Sequence, residues 1–184
     1  MPVSSASAPG RPRSDLHATV FGATLRTMHE LGYANATMDR IAAAAGIAKT
    51  TIYRRWPSKG VLIADCLLEA FRPVPLEGPT REEILAGAIR FLVAKIGEPG
   101  VGVAFAGVFV DAMSDPALRE ILSTRLQDPY RIALQEALGE PEERVLLIID
   151  VLVGTLLHRM GMTGAPMGGA DVAVLTEMVL RVLR

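Results

Sequence analysis

Apolar residues recur along this chain at spacings of three and four, the period of helices that bury one face. Leu16, Val20, Phe21, Leu25, Met28 and Leu31 make the first such stripe, opened by Asp15 and closed by Gly32 as a C′ glycine. Met38, Ile41, Ala42 and Ala45 make a second, shorter one. Thr37 is placed as its N-cap, and Asp39 suits the positive end of the helix dipole. Gly46 breaks this helix, and apolar Ile47 is expected to plug the turn. A third short helix is expected over about Ala48 to Trp56, with Ile52 and Trp56 inward. Pro57 stops it, and Ser58 caps a fourth, long helix.

Pro73, Pro75 and Pro79 mark a linker. Beyond it the pattern stays helical. One segment runs from Thr80 to about Ile96, and a strongly apolar one from Val101 to Met113. Asp115 with Pro116 begins another, which Pro129 kinks or splits and Gly139 ends. Pro141 opens a long helix to about Met162, GAPMGG is a loop, and the last helix covers Ala170 to Arg184. No segment alternates with period two, so the expected fold class is all-α, and no internal repeat is found. The expected organisation is a flexible arm over 1–14, a head over 15–60 and a helical body over 61–184.

Composition narrows the function. Half of the 184 residues are hydrophobic, which excludes a disordered chain. The longest apolar run, Val145 to Leu157, is interrupted by Asp150 and reads as too short to span a membrane, and no membrane partner is expected. The N-terminus lacks the apolar core of a secretory signal, and the single cysteine, Cys66, suits a reducing cytoplasm. The net charge of −1 conceals an asymmetry. Residues 1–60 carry eight Lys/Arg against three Asp/Glu, and residues 61–184 carry eleven against seventeen. A basic head on an acidic body points to a polyanion bound at one end.

The stretch AGIAKTTIYRRWPSK, Ala45 to Lys59, explains that charge. Two short helices joined by a glycine-containing turn form a helix-turn-helix, whose second helix enters the DNA major groove. With Ile47, Ile52 and Trp56 packed inward, Lys49, Thr50, Tyr53 and Arg54 stay outside. Lysine and threonine can read base edges, and tyrosine and arginine can reach phosphates. Thr37, Thr51, Lys59 at the start of the next helix, and Arg11 and Arg13 of the arm complete the candidate contacts to double-stranded DNA.

The run TMDRIAAAAGIAKTTIYRRWPSKGVLIADCL resembles the DNA-binding domain of the TetR family of bacterial transcription regulators, through its T-x-x-x-I-A, A-G-I, T-x-Y-R and P-S-K elements. LVGTLLHRMGMTGAP and the terminal VLRVLR resemble the far end of such proteins, so the likeness spans nearly the whole chain. Two positions depart from the pattern. Ala48 stands where the family often has a capping serine, which forfeits about 0.5–2 kcal/mol unless Thr50 or Thr51 compensates. Trp56 replaces a more usual phenylalanine, and its indole N–H needs a partner. The resemblance implies a cytoplasmic homodimer, most often a repressor, released from a palindromic operator by a small molecule bound in the body. An activator or a ligand-independent regulator of the same fold is the alternative.

In the body, Phe91, Phe105, Phe109 and Met113 are candidate pocket residues, with Val151 and Thr155 across from them. Asp150, Gly154 and His158 share one helix face. The last helix is apolar over about 260° of its circumference, more than one body can cover. Gly154, His158, Leu175, Met178, Val179 and Val182 are therefore the candidate dimer contacts. No cofactor is expected, and His17, His29, His158 and Cys66 lack metal-ligand spacing. An enzyme is disfavoured: Phe105 occupies the third glycine place of the one near-match to G-x-G-x-x-G, and G-x-S-x-G and Walker motifs are absent. A DNA-packaging protein would be basic throughout, which the acidic body is not.

Overall fold

The computed structural model describes residues 13–72 and 75–183. Arg11 lies outside them, and only the backbone of Arg13 is described. The described residues contain helices and no strand. The order is α1 (Arg13–Asn35), α2 (Met38–Ala44), α3 (Lys49–Arg55), α4 (Lys59–Ala70), α5 (Arg81–Gly97), α6 (Val101–Ser114), α7 (Pro116–Ile121), a π-helical turn (Leu122–Gln127), α8 (Asp128–Leu138), α9 (Glu142–Met162) and α10 (Gly169–Val182).

The punctuation follows local chemistry. Gly32 breaks α1 with φ 73° and ψ 167°. Thr37, Ser58, Thr80 and Asp115 cap the helices that follow them, each accepting from a backbone N–H in the first turn. Ala48 supplies no such bond, and α3 still begins at Lys49, so neither threonine compensates. The helix begun at Asp115 is divided just before Pro129, into α7, the π turn and α8. Proline lacks the N–H of an α-helical bond and crowds the carbonyl four residues back. The widened π turn immediately before it takes up that misfit.

Two apolar clusters hold the molecule. One runs from the head through α4 into α6, α7 and the π turn, with Val20, Ile41, Ile52, Trp56, Leu67, Val101, Phe105 and Leu122 among its members. The other joins α5, α8, α9 and α10 through Leu85, Ile89, Leu138, Val145, Leu152, Leu175 and Val179. Helix α1 lies directly on α6. A Cβ on Gly100 would fall 1.9 Å from the Leu25 carbonyl oxygen, and one on Gly107 would fall 1.9 Å from the Tyr33 ring. Only glycine permits that approach.

Helix α9 corrects one reading. Helical residues continue past both ends of the apolar run, so α9 reaches 21 residues and is long and apolar enough by those criteria to cross a membrane. Only 22% of its apolar window is buried, through Val145, Ile148, Leu152 and Leu156 in the body.

Candidate nucleic-acid interface and body cavity

Helices α2 and α3 meet through a tight turn in which Gly46 takes φ 66°. The Ile47 N–H donates to the Ala42 carbonyl (3.0 Å), and its side chain is half-buried. Ile52 and Trp56 are buried completely or nearly so, which fixes the opposite face of α3 outward. Lys49, Thr50, Tyr53 and Arg54 are exposed there, as is Arg55, a cation outside the candidate set; Thr51 is half-buried. Thr37 is exposed, and its hydroxyl oxygen accepts the Arg40 N–H as the N-cap bond.

The recognition face is braced by one acid. Asp39 of α2 pairs with the Lys49 ammonium at 2.5 Å, and the Tyr53 hydroxyl lies 3.5 Å from its other oxygen. The bond to Asp39, and its charge, hold the Lys49 pKa above the ordinary lysine value. The indole of Trp56 has the partner it needs, donating to Asp65 of α4 at 2.9 Å, and Arg125 of the π turn holds the other Asp65 oxygen at 2.7 Å.

Lys59 does not project with α3. Its ammonium donates to the Tyr33 carbonyl at 3.0 Å and lies 3.7 Å from the centre of the Tyr33 ring. It therefore ties α4 to the end of α1 rather than standing free for a phosphate. Tyr33 in turn donates its hydroxyl to Asp111 of α6. Burial first, then that bond to a carboxylate, pushes the Tyr33 pKa well above the ordinary tyrosine range.

In the body, a cavity of about 120 Å³ opens between α4, α5, α6, the π turn, α8 and α9. Phe91, Phe105 and Phe109 line it as expected, joined by Phe71. The Phe105 and Phe109 ring centres are 4.8 Å apart, and those of Phe105 and Phe71 are 5.6 Å apart. Tyr130 lines it too, with its hydroxyl donated to the Phe71 carbonyl and its pKa pushed up to about 12 by burial. Met113 is not there: it is 79% exposed in the last turn of α6, beyond the cavity. Val151 and Thr155 also miss the cavity, because Ile149, Leu152 and Val153 are the α9 residues turned toward it. Gln127, Leu126 and Tyr130 were not candidates. Their placement depends on the π turn, for which the apolar period gives no signal.

The candidate dimer contacts divide in two. Leu175 and Val179 are 6% and 4% exposed and belong to the core of their own body, so they correct the reading that put them at an interface. Met178 and Val182 are exposed, together with Val174, at four-residue spacing on the outer face of α10. On α9, Leu147 and Val151 are exposed in one stripe with Gly154 and His158. A Cβ on Gly154 would meet nothing within 4 Å.

A helix-turn-helix with an outward polar and cationic α3, set on an all-helical body, defines a DNA-binding transcription regulator. A family model for bacterial regulatory proteins of the tetR family matches residues 21–66. The chain is 30% identical over 176 residues to the DNA-binding transcriptional repressor TetR of Mycobacteroides abscessus, covering 90% of this chain and 92% of that one. It is 30% identical over 170 residues to the HTH-type transcriptional regulator YdeS of Bacillus subtilis, covering 84% and 83%. Among solved structures, a TetR-family regulator of Mesorhizobium loti shares the fold at a TM-score of 0.68 and 17% identity, over 94% of this chain and 98% of that one. The multidrug binding protein EbrR complexed with ethidium does so at a TM-score of 0.68 and 18% identity, over 91% and 98%. The chain belongs to the TetR family of bacterial transcription regulators.

Proposed function

We propose that this protein is a cytoplasmic homodimeric repressor, released from a palindromic operator when a small, largely apolar molecule fills the cavity of its body. The head, residues 15–60, places α3 in the major groove. Lys49 and Thr50 read base edges, and Thr37, Thr51, Tyr53 and Arg54 serve the backbone and flanking positions. Arg11 of the arm, and Arg13 at the start of α1, add charge beside the duplex. The body, residues 61–184, pairs with a second copy through the exposed stripes Leu147, Val151, Gly154 and His158 of α9 and Val174, Met178 and Val182 of α10. A two-fold dimer presents two heads to two half-sites, as such motifs require.

The observation that carries the ligand response is the double engagement of α6. Phe105 and Phe109 wall the cavity, while Gly107 and Asp111 of the same helix, with its N-cap Gly100, seat Leu25 and Tyr33 of α1. A ligand larger than the cavity must displace those phenylalanines, and α6 cannot shift without disturbing its contact with the head. A coupling of about 1–3 kcal/mol, roughly 5- to 150-fold in operator affinity, is ordinary for such devices. The fold neighbour EbrR is a multidrug binding protein, in keeping with a ligand in the body.

The test is fluorescence anisotropy on duplexes tiled across the region upstream of the protein's own gene, with and without aromatic ligands, and a reporter under the bound sequence. The expected outcome is one short protected palindrome, loss of binding on ligand addition, and derepression of the reporter. Binding that no cavity ligand changes would overturn the ligand response, and a reporter that falls silent when the protein is deleted would make it an activator.

A further inference from the structure

We propose that Gln127 is the hydrogen-bond-donating anchor of the cavity, aimed there by the π-helical turn, and that the cavity takes a neutral aromatic molecule bearing one hydroxyl, carbonyl or amide. This rests on the reading of the cavity as the ligand site. Of the thirteen lining residues, eleven have wholly apolar side chains and none is charged. The two polar ones differ in what they have left to offer. Tyr130 has already donated its hydroxyl to the Phe71 carbonyl. Gln127 is the other, and its side-chain amide makes no hydrogen bond among the described residues.

Among the described residues no side-chain nitrogen or oxygen is buried without a partner, so the Gln127 amide stays open to water, which a ligand's polar group would replace. The amide both donates and accepts, so it recognises either polarity of a neutral group. An anion would leave water for a wall with no opposite charge, which is strongly unfavourable, and a cation would have only the ring faces to offset the same cost. The π turn sets the direction. It ends at Gln127, and α8 begins with Asp128 and Pro129. An uninterrupted α-helix would turn Gln127 to a different angle from the cavity, and π turns of this kind recur at functional sites. Size supports a single ring: an apolar cavity of roughly 150 Å³ holds benzene, and this one measures about 120 Å³.

The test uses three probes of nearly equal shape, ethylbenzene, benzyl alcohol and protonated benzylamine, titrated calorimetrically into the full-length protein at neutral pH. Wild type is expected to bind ethylbenzene and benzyl alcohol and to reject benzylammonium. Gln127→Leu is expected to weaken benzyl alcohol by roughly 5- to 150-fold, the cost of leaving one buried hydroxyl unpaired, while ethylbenzene binds as well or better. Gln127→Met replaces Leu if that variant fails to fold. Equal effects on the two neutral probes, or no effect on either, would overturn the anchor while leaving the ligand site standing. Benzylammonium binding to wild type as tightly as benzyl alcohol would overturn the neutral class. Failure of wild type to bind either neutral probe would bring down the ligand reading of the cavity and this inference with it.

Discussion

Gly107→Ala sets two physical effects against each other, and the structure decides the sign. Gly107 is inside α6, where alanine in place of glycine ordinarily stabilises by about 1 kcal/mol. Here the new Cβ would fall 1.9, 2.2 and 2.3 Å from three atoms of the Tyr33 ring. No flexible tip can yield, because Tyr33 is held at both ends, by its hydroxyl on Asp111 and by Lys59 on its carbonyl. If the ring stays, overpacking costs about 1–3 kcal/mol. If it swings out, the bond to a charged acceptor is lost, worth about 1.5–3 kcal/mol before discounting for the half-exposed site. The expected net is destabilisation of about 1–2 kcal/mol. In a Tyr33→Ala background the obstacle is gone, and the same substitution should stabilise by up to about 1 kcal/mol. Urea unfolding at one protein concentration, with unchanged m-values, measures both. A Gly107→Ala that stabilises the wild type, or acts with the same sign in both backgrounds, would refute the contact between α1 and α6.

Three further outcomes are expected. Met178→Glu should yield a folded monomer that loses the operator in sedimentation and binding assays, whereas Val179→Glu should lower thermal stability at least as much as it weakens pairing, because Val179 is buried in its own subunit; a tight Met178→Glu dimer would eliminate the outer face of α10 as the interface. Arg54→Ala should flatten the log–log salt dependence of binding by about 1 per subunit, while Lys59→Ala should leave the slope intact and lower the melting temperature; the reverse pattern would return Lys59 to the phosphates. Tyr33 and Tyr130 are raised in the folded state, so each contributes stability in full below the ordinary tyrosine pKa of about 10 and loses it as pH rises through the folded value. For Tyr130 that window runs from about 10 to about 12. An absorbance titration in which neither tyrosine lags behind the unfolded chain would contradict this.

What the sequence discloses here is local chemistry. Thr37, Ser58, Thr80 and Asp115 cap helices because a side-chain oxygen placed one residue before a helix has few other uses. The outward face of α3 is legible for the same reason, since Ile52 and Trp56 fix its inner side within seven residues. Long-range choices are not legible. On α9, Val151 and Leu152 are both apolar neighbours about 100° apart, and only the packing of α8 and α5 on α9 decides that Leu152 lines the cavity while Val151 faces out. On α10, the polar stripe of Glu177 and Arg181 is narrow and the apolar arc is wider than one body covers, so Leu175 and Val179 could exchange roles with Val174 and Met178 until α5 is in place. Lys59 misleads for another reason: its long stem can reach outward or inward, and a π-face and a carbonyl lie within reach inside.

A ligand changes operator affinity only in so far as it favours one arrangement of elements that also touch the head. Two elements bounding the cavity meet that condition. Helix α6 does so through Gly107 and Asp111 on Tyr33, four residues before the cap of α2. The π turn does so through Arg125, whose guanidinium holds Asp65, which in turn holds the indole at the C-terminal end of α3. Both routes converge on α3 and its support from opposite ends of the head. On the proposed reading, disturbing either one tilts α3 with its support, since Ile41, Ile52 and Trp56 share one core with Phe105 and Leu122 of the body. In a dimer, a tilt applied twice alters the separation of the two recognition helices. Half-sites are spaced by whole turns of the duplex, so a change of a few ångströms in that separation suffices to lose one of the two contacts.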